Sequence, residues 1–208
     1  INDSLNHISE RYLNILKDLG EDALENEVKN TINSILYEDS KDYIVSRGEY
    51  LNGKMLASYL GYEFLDAKDI IFLYGDRIDE EKTEKAVKEK IKDGHKYVIP
   101  GFYGNKEGQI GLLKRGGSDY TGSILASSLK YKHYENWTDV DGIMDKDPTE
   151  YEDAKVYKSL TYEELKKIIN NGAKVYQEDA LNPLIGKDIE LRILNTNKPD
   201  DDGTIIID

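Results

Sequence analysis

Lys114-Arg115-Gly116-Gly117-Ser118-Asp119-Tyr120-Thr121 and, one helix further on, Tyr134-Glu135-Asn136-Trp137-Thr138-Asp139-Val140-Asp141-Gly142 decide how this chain is read. The first stretch joins a guanidinium, two glycines, a hydroxyl and a carboxylate at the start of a helix. Glycines lack Cβ, so backbone N–H groups can approach an anion closely, and a helix N-terminus adds partial positive charge. Arg115 presents a planar fork that matches a carboxylate or phosphate better than a lysine would. Asp119 beside it is placed to accept from an ammonium group. These residues point to a pocket for a small zwitterion or a phosphate. The plainer alternative is a helix entered through a glycine turn and capped by Ser118 or Asp119. In the second stretch, Tyr134 to Thr138 reads as a short strand and Asp139 to Gly142 as the loop leaving its carboxyl end, where open α/β sheets bind ligands.

Outward from these stretches, helices and short strands alternate. Leu5, Ile8, Tyr12, Ile15, Leu16 and Leu19 recur at helical spacing before Gly20, and Leu24, Val28, Ile32 and Ile35 continue as a second helix. Leu51, Met55, Leu56, Tyr59 and Leu60 form a third helix, stopped by Gly61, with a strand over Tyr62 to Leu65. Ile70-Ile71-Phe72 is a strand candidate, and Asp79 to Asp93 a charged helix with Ala86, Val87 and Ile91 inward. Tyr97-Val98-Ile99 reads as a buried strand, and Gln109 to Leu113 as one arm of a hairpin across the Gly104–Gly108 turn. Thr161-Tyr162-Glu163-Glu164 is a capping box opening a helix that runs to Asn170 and stops at Gly172. Ile189 to Leu194 and Thr204 to Ile207 supply the last strands. Such alternation predicts α/β with a largely parallel sheet, as a single domain over residues 1–208.

Composition narrows the function. The 208 residues carry a formal net charge of −13, which argues against nucleic acid as a partner because phosphate contacts need a clustered basic face. The longest apolar runs, such as Ile205-Ile206-Ile207, fall far short of the roughly 20 residues that cross a bilayer, and no leader is expected from the opening residues. Cysteine is absent, and His7, His95 and His133 are scattered, so no metal centre is expected from these residues and a cytoplasmic location is.

The order R-G-G-S-D-Y-T-G, helix, N-W-T-D-V-D-G-I, then Asp147-Pro148, resembles the aspartokinases of the amino acid kinase superfamily. Ser46-Arg47-Gly48-Glu49 is similar to the family's S-x-G-E, and Pro100-Gly101-Phe102-Tyr103-Gly104 to its G-F-x-G turn. Asn195-Thr196-Asn197, Pro199 and Gly203-Thr204 are similar to the N-T-x-x-P…G-T that closes its kinase domain. The resemblance implies a three-layer α-β-α sandwich and transfer of the γ-phosphoryl of ATP, with Mg²⁺, to the side-chain carboxylate of L-aspartate. That would be the first step toward lysine, threonine and methionine. Residue by residue, it implies that Glu49 holds the substrate's ammonium group and Arg115 its carboxylate, with Ser118 and Asp119 completing the pocket. Thr138, Asp139, Met144, Lys174 and Val175 would line the nucleotide site, Asp119 and Lys174 would be catalytic, and a homodimer is expected. Glu49 as a first-turn helix acid and Lys174 as a solvated lysine are the competing readings. Trp137, the only tryptophan, is expected beside the nucleotide, with a core position as its alternative.

Departures from the family pattern weigh on the ATP side. Met144 stands where many relatives have tyrosine, Thr149 where D-P-R has its arginine, and Tyr176-Gln177 where Leu-His is common. The family's opening strand with K-F-G-G is not matched, nor are its regulatory domains. The expectation is therefore a partial catalytic domain, inactive and aggregation-prone by itself. A glutamate, N-acetylglutamate or nucleoside monophosphate kinase of the same superfamily and a non-catalytic ligand-binding relative are the rival readings.

Overall fold

The computed structural model describes residues 2–75, 77–114, 116–146, 150–171 and 176–208. The chain divides into two compact units, Ile1–Lys114 and Arg115–Asp208. The first begins with three helices, α1 (Asn2–Leu19), α2 (Glu25–Ser34) and α3 (Lys41–Leu60). Leu16, Val28, Ile32, Leu51 and Met55 bury themselves together, flanked by Tyr12, Leu13 and Leu24, as the helical spacing predicts. α3 is longer than its apolar spacing suggests. Ser40 caps it by accepting from the Tyr43 N–H, so Ser46-Arg47-Gly48-Glu49 lies inside a helix rather than ahead of one. Tyr12 of α1 donates to the Gly48 carbonyl at 3.2 Å.

β1 (Glu63–Phe64) pairs in parallel with β4 (Tyr97–Val98), which is half-buried rather than buried. Ile70-Ile71-Phe72 does not form a strand. Ile70 and Ile71 are fully buried in the turn after a 3₁₀ segment at Ala67–Asp69, and only Phe72 bridges to Asn105. The run is apolar because it plugs a core, which periodicity cannot tell from a strand. A hairpin of β2 (Leu73–Tyr74) and β3 (Arg77–Ile78) leads into α4 (Glu80–Lys90). Asp79 caps α4, and Ile91 is already extended, three residues short of the expected end. The predicted hairpin forms as β5 (Tyr103–Lys106) and β6 (Gln109–Leu112).

The second unit comprises α5 (Gly117–Ser128), β7 (His133–Thr138), β8 (Ser159–Thr161), α6 (Tyr162–Asn170), α7 (Glu178–Leu181), β9 (Glu190–Asn195) and β10 (Thr204–Ile207). Its sheet runs β7-β9-β10-β8, with β7–β9 and β10–β8 parallel and β9–β10 antiparallel. The α/β class is as expected, and parallel ladders are the majority in a mixed sheet. Leu191, Ile193 and Ile206 form the buried face, under Ala126, Leu165, Ala180, Leu181 and Leu184 from the helices and the turn after α7. On the other face of β7, His133, Glu135 and Trp137 are exposed. The capping box is present in full: Thr161 Oγ1 accepts from the Glu164 N–H while the Glu164 carboxylate accepts from the Thr161 N–H. Gly172, the expected stop of α6, lies outside the described residues.

Leu191→Ala removes a fully buried side chain at the centre of that cluster. It should lower unfolding free energy by about 2–5 kcal/mol, whereas Ile207→Ala at the exposed end of β10 should change it by roughly 0.5 kcal/mol or less. Urea titration followed by circular dichroism distinguishes the two.

Candidate active site

α5 starts at Gly116, whose φ of 80° is left-handed and therefore favours glycine. A Cβ at Gly116 would stand 1.9 Å from Gln177 Cγ, so the position has no room for another residue. Gly116 occupies the cap position and so offers the helix start no side-chain cap. The alternative in which Ser118 or Asp119 serves as the cap is thus not realised; they are the second and third helical residues. The first-turn N–H groups and the dipole of a helix start of this kind favour an anion. Arg115 lies outside the described residues.

Asp119 turns to β7, where Asn136 Nδ2 donates to its Oδ1 at 3.0 Å. Burial pushes the Asp119 carboxyl above its ordinary value, and the hydrogen bond from Asn136 pulls it part of the way back. The same Nδ2 lies 3.5 Å from Tyr134 Oη. Tyr134 presses against α5 at Gly122, where a Cβ would meet Tyr134 Oη at 2.2 Å. Buried Tyr176 shares a 2.9 Å hydrogen bond with Ser123. A row of polar groups thus runs beneath Asp119. Asn136 and Tyr134 were not singled out from the sequence. The available signal was the alternation Tyr134, Asn136, Thr138, three polar-capable residues on one face of a strand.

The carboxyl ends of β7 and β9 lie side by side, with Thr138 opposite Asn195. Thr196 donates to the Thr138 carbonyl from its N–H at 2.8 Å and from its hydroxyl at 3.0 Å. Asp141 accepts from Asn195 Nδ2 and from Lys198 Nζ, each at 2.6 Å. Lys198 and then Asn195 hold the Asp141 carboxyl below its ordinary range. Asp139 is exposed next to Thr138, whose hydroxyl donates to it at 3.3 Å. Met144, half-buried, bridges antiparallel to Val156 on the outgoing loop. Thr138, Asp139 and Met144 therefore belong to one strand end and its loop. Lys174, Val175 and Asp147-Pro148-Thr149 lie outside the described residues. Trp137 is 44% exposed, with its indole N–H donating to Glu135, so the core alternative for it is set aside.

In the first unit, Glu49 sits mid-way along α3, half-buried, with its Oε1 3.5 Å from the Gly101 N–H. It is not a first-turn acid; Asp42 occupies that place. Phe102, in the same turn, adopts a left-handed φ of 57°. Tyr103 follows it, fully buried, donating to Asp66 at 2.8 Å. Among the described residues, no group of three or more His, Asp or Glu side chains is arranged to hold a metal ion, and no helix is long and apolar enough to cross a membrane.

A glycine-entered helix start beside the carboxyl ends of parallel strands is where α/β proteins commonly bind small anions, phosphate among them. The model of the amino acid kinase family matches residues 3–195, and the chain belongs to that family. It is 31% identical to aspartokinase 3 of Bacillus subtilis over 96% of this chain and 48% of that protein. The crystal structure of Clostridium acetobutylicum aspartate kinase superposes with a TM-score of 0.92 at 40% identity, over 100% of this chain and 48% of that one. Aspartokinase III of Escherichia coli, in complex with aspartate and ADP, shares the fold with a TM-score of 0.90 at 23% identity, over 99% of this chain and 52% of that one. The chain thus spans about half the length of the relatives it matches.

Because burial raises the Asp119 carboxyl, the folded state binds its proton more tightly than the unfolded chain does. Stability from this group is present at low pH and is lost as pH rises through its folded value. Asp119→Asn should therefore raise the thermal midpoint at pH 7.5. The gain should shrink toward zero as pH falls to about 4, near the ordinary aspartate value. Scanning calorimetry of both proteins across pH measures it.

Proposed function

We propose that this chain carries aspartate kinase chemistry, and that residues 1–208 belong to one catalytic domain. The reaction is attack of the L-aspartate side-chain carboxylate on the γ-phosphorus of ATP. A new O–P bond forms, the bond to the β–γ bridging oxygen breaks, and ADP and 4-phospho-L-aspartate leave. The nucleophile has a pKa near ~4 and is already ionised at neutral pH, so no general base is required. The task is to align two anions and offset charge on the phosphoryl oxygens. The observation that carries the reading is the glycine-entered α5 start with Asp119 held by Asn136, in a chain all of which aligns, at 40% identity, with 48% of an aspartate kinase.

In this reading Glu49 meets the substrate's ammonium group, and Arg115, Ser118 and Asp119 receive the rest of the amino acid. Thr138, Asp139, Met144, Lys174 and Val175 line the nucleotide, with Lys174 and Asp119 acting on the transfer. Mg²⁺ arrives on the phosphates, as this ion commonly does. A homodimer and a cytoplasmic location complete the proposal.

The test is ADP release by the full-length protein with L-aspartate, L-glutamate, N-acetyl-L-glutamate or a nucleoside monophosphate, the acyl phosphate being trapped with hydroxylamine. Aspartate-dependent hydroxamate in step with ADP is expected; preference for another acceptor overturns the reading. Arg115→Lys should raise the aspartate KM by about 1–3 kcal/mol in binding terms, since a forked charged contact is left incomplete. The KM for Mg-ATP should stay unchanged. Trp137 emission should change saturably with Mg-ADP, and Asp139→Asn should blunt that response. An unaltered spectrum at nucleotide concentrations shown by calorimetry to saturate would move the nucleotide away from β7.

A further inference from the structure

Asn136 is given no contact with substrate or nucleotide in the reading above, and its side chain is a contact that β7 makes with Asp119. The two residues are 17 apart in sequence, and the Nδ2–Oδ1 distance is 3.0 Å. The second Nδ2 hydrogen is directed toward Tyr134 Oη at 3.5 Å. A reversed amide would set its oxygen against the Asp119 carboxylate, so the charge itself selects this orientation. Tyr134 cannot retreat easily, because its hydroxyl lies where a Cβ on Gly122 would be. Among the described residues, the titratable groups facing Asp119 are Tyr134 on β7 and Tyr176 ahead of α7, phenols driven upward mainly by burial and therefore neutral. Neither brings a positive charge to the carboxylate. On this side of Asp119, the amide donor is what favours the ionised form.

We propose that Asn136 is a positioning residue: by donating to Asp119 it keeps that carboxylate ionised and in one orientation for the incoming substrate. What Asp119 meets rests on the aspartate reading; how Asn136 holds it does not. Leucine at 136 keeps the shape and removes the donor. Aspartate keeps the shape and replaces the donor with a like charge, which disfavours ionisation further.

The experiment uses the full-length protein with ¹³Cγ-labelled aspartate, the Asp119 signal being identified by its loss in Asp119→Asn. In Asn136→Leu the Asp119 titration midpoint should rise by about one pH unit, a tenfold loss of ionised form below it. In Asn136→Asp it should rise further. The acid limb of kcat/KM for aspartate should move upward in the same order. At pH 8, kcat at saturating aspartate should stay within about threefold, and the KM for Mg-ATP should not change. An unmoved Asp119 midpoint in a folded variant overturns the proposal, as does a uniform fall of kcat/KM with no shift of the limb. If Asn136→Leu does not fold, Asn136→Asp carries the same test. If the wild-type protein shows no aspartate turnover, the functional reading falls while the titration still decides the role of Asn136.

Discussion

Six consecutive residue pairs join β7 to β9 in parallel, from His133 opposite Glu190 to Thr138 opposite Asn195, and the second unit depends on that register. Side chains alternate along a strand, so pairing in this phase sends Tyr134, Asn136 and Thr138 one way and His133, Glu135 and Trp137 the other. A slip by one residue would turn Asn136 to solvent and drive Trp137 against α5. The same register sets the two carboxyl ends level. Thr196 then closes onto the Thr138 carbonyl, and Asp141 reaches Asn195 and Lys198. The register is held from the β9 side, where Leu191 and Ile193 are buried with Ile206 under the helices.

Charge contributes little to that stability. The ion pairs that join separate parts of the second unit, such as Lys132 with Asp188 and Lys198 with Asp141, are solvent-exposed, and exposed pairs contribute about 0–1 kcal/mol each. Lys198 matters more as a clip on the loop than as a source of stability, because Asp141 is also held by Asn195. With a net charge of −13, a site for anions has to be positive locally against the field of the whole chain. Helix starts and forked guanidinium groups do this at short range, where screening acts least. Arg47 is a different case. Its buried guanidinium lies 4.3 Å from the Tyr43 ring centroid and 4.5 Å from that of Tyr50, so aromatic faces offset its desolvation.

Asp119, a site residue in the proposed reading, is a carboxylate held at the expense of stability. Burial opposes its charge, and a single amide donor offsets part of the penalty. Such tension is common where a carboxylate serves binding rather than packing. Among the described residues, its other neighbours are the hydroxyls of Tyr134, Ser123 and Tyr176, with Tyr134 packed on Gly122 to keep α5 close to β7.

By itself the sequence determined the local events: the apolar faces of α1 and α2, the capping box at Thr161, the glycine stop at Gly61, the β5–β6 hairpin and the order of motifs that reveals the family. Each is set by residues a few positions apart, where propensity, capping and period act directly. Tertiary structure alone decided the rest. It carried α3 back through Gly48, where Tyr12 of another helix donates to the Gly48 carbonyl. It made Ile70 and Ile71 a buried plug rather than a strand, since both uses ask for the same apolar run. It also joined Asp119 to Asn136. A hydrogen bond between residues 17 apart depends on how a helix docks on a strand, and no local pattern encodes that docking.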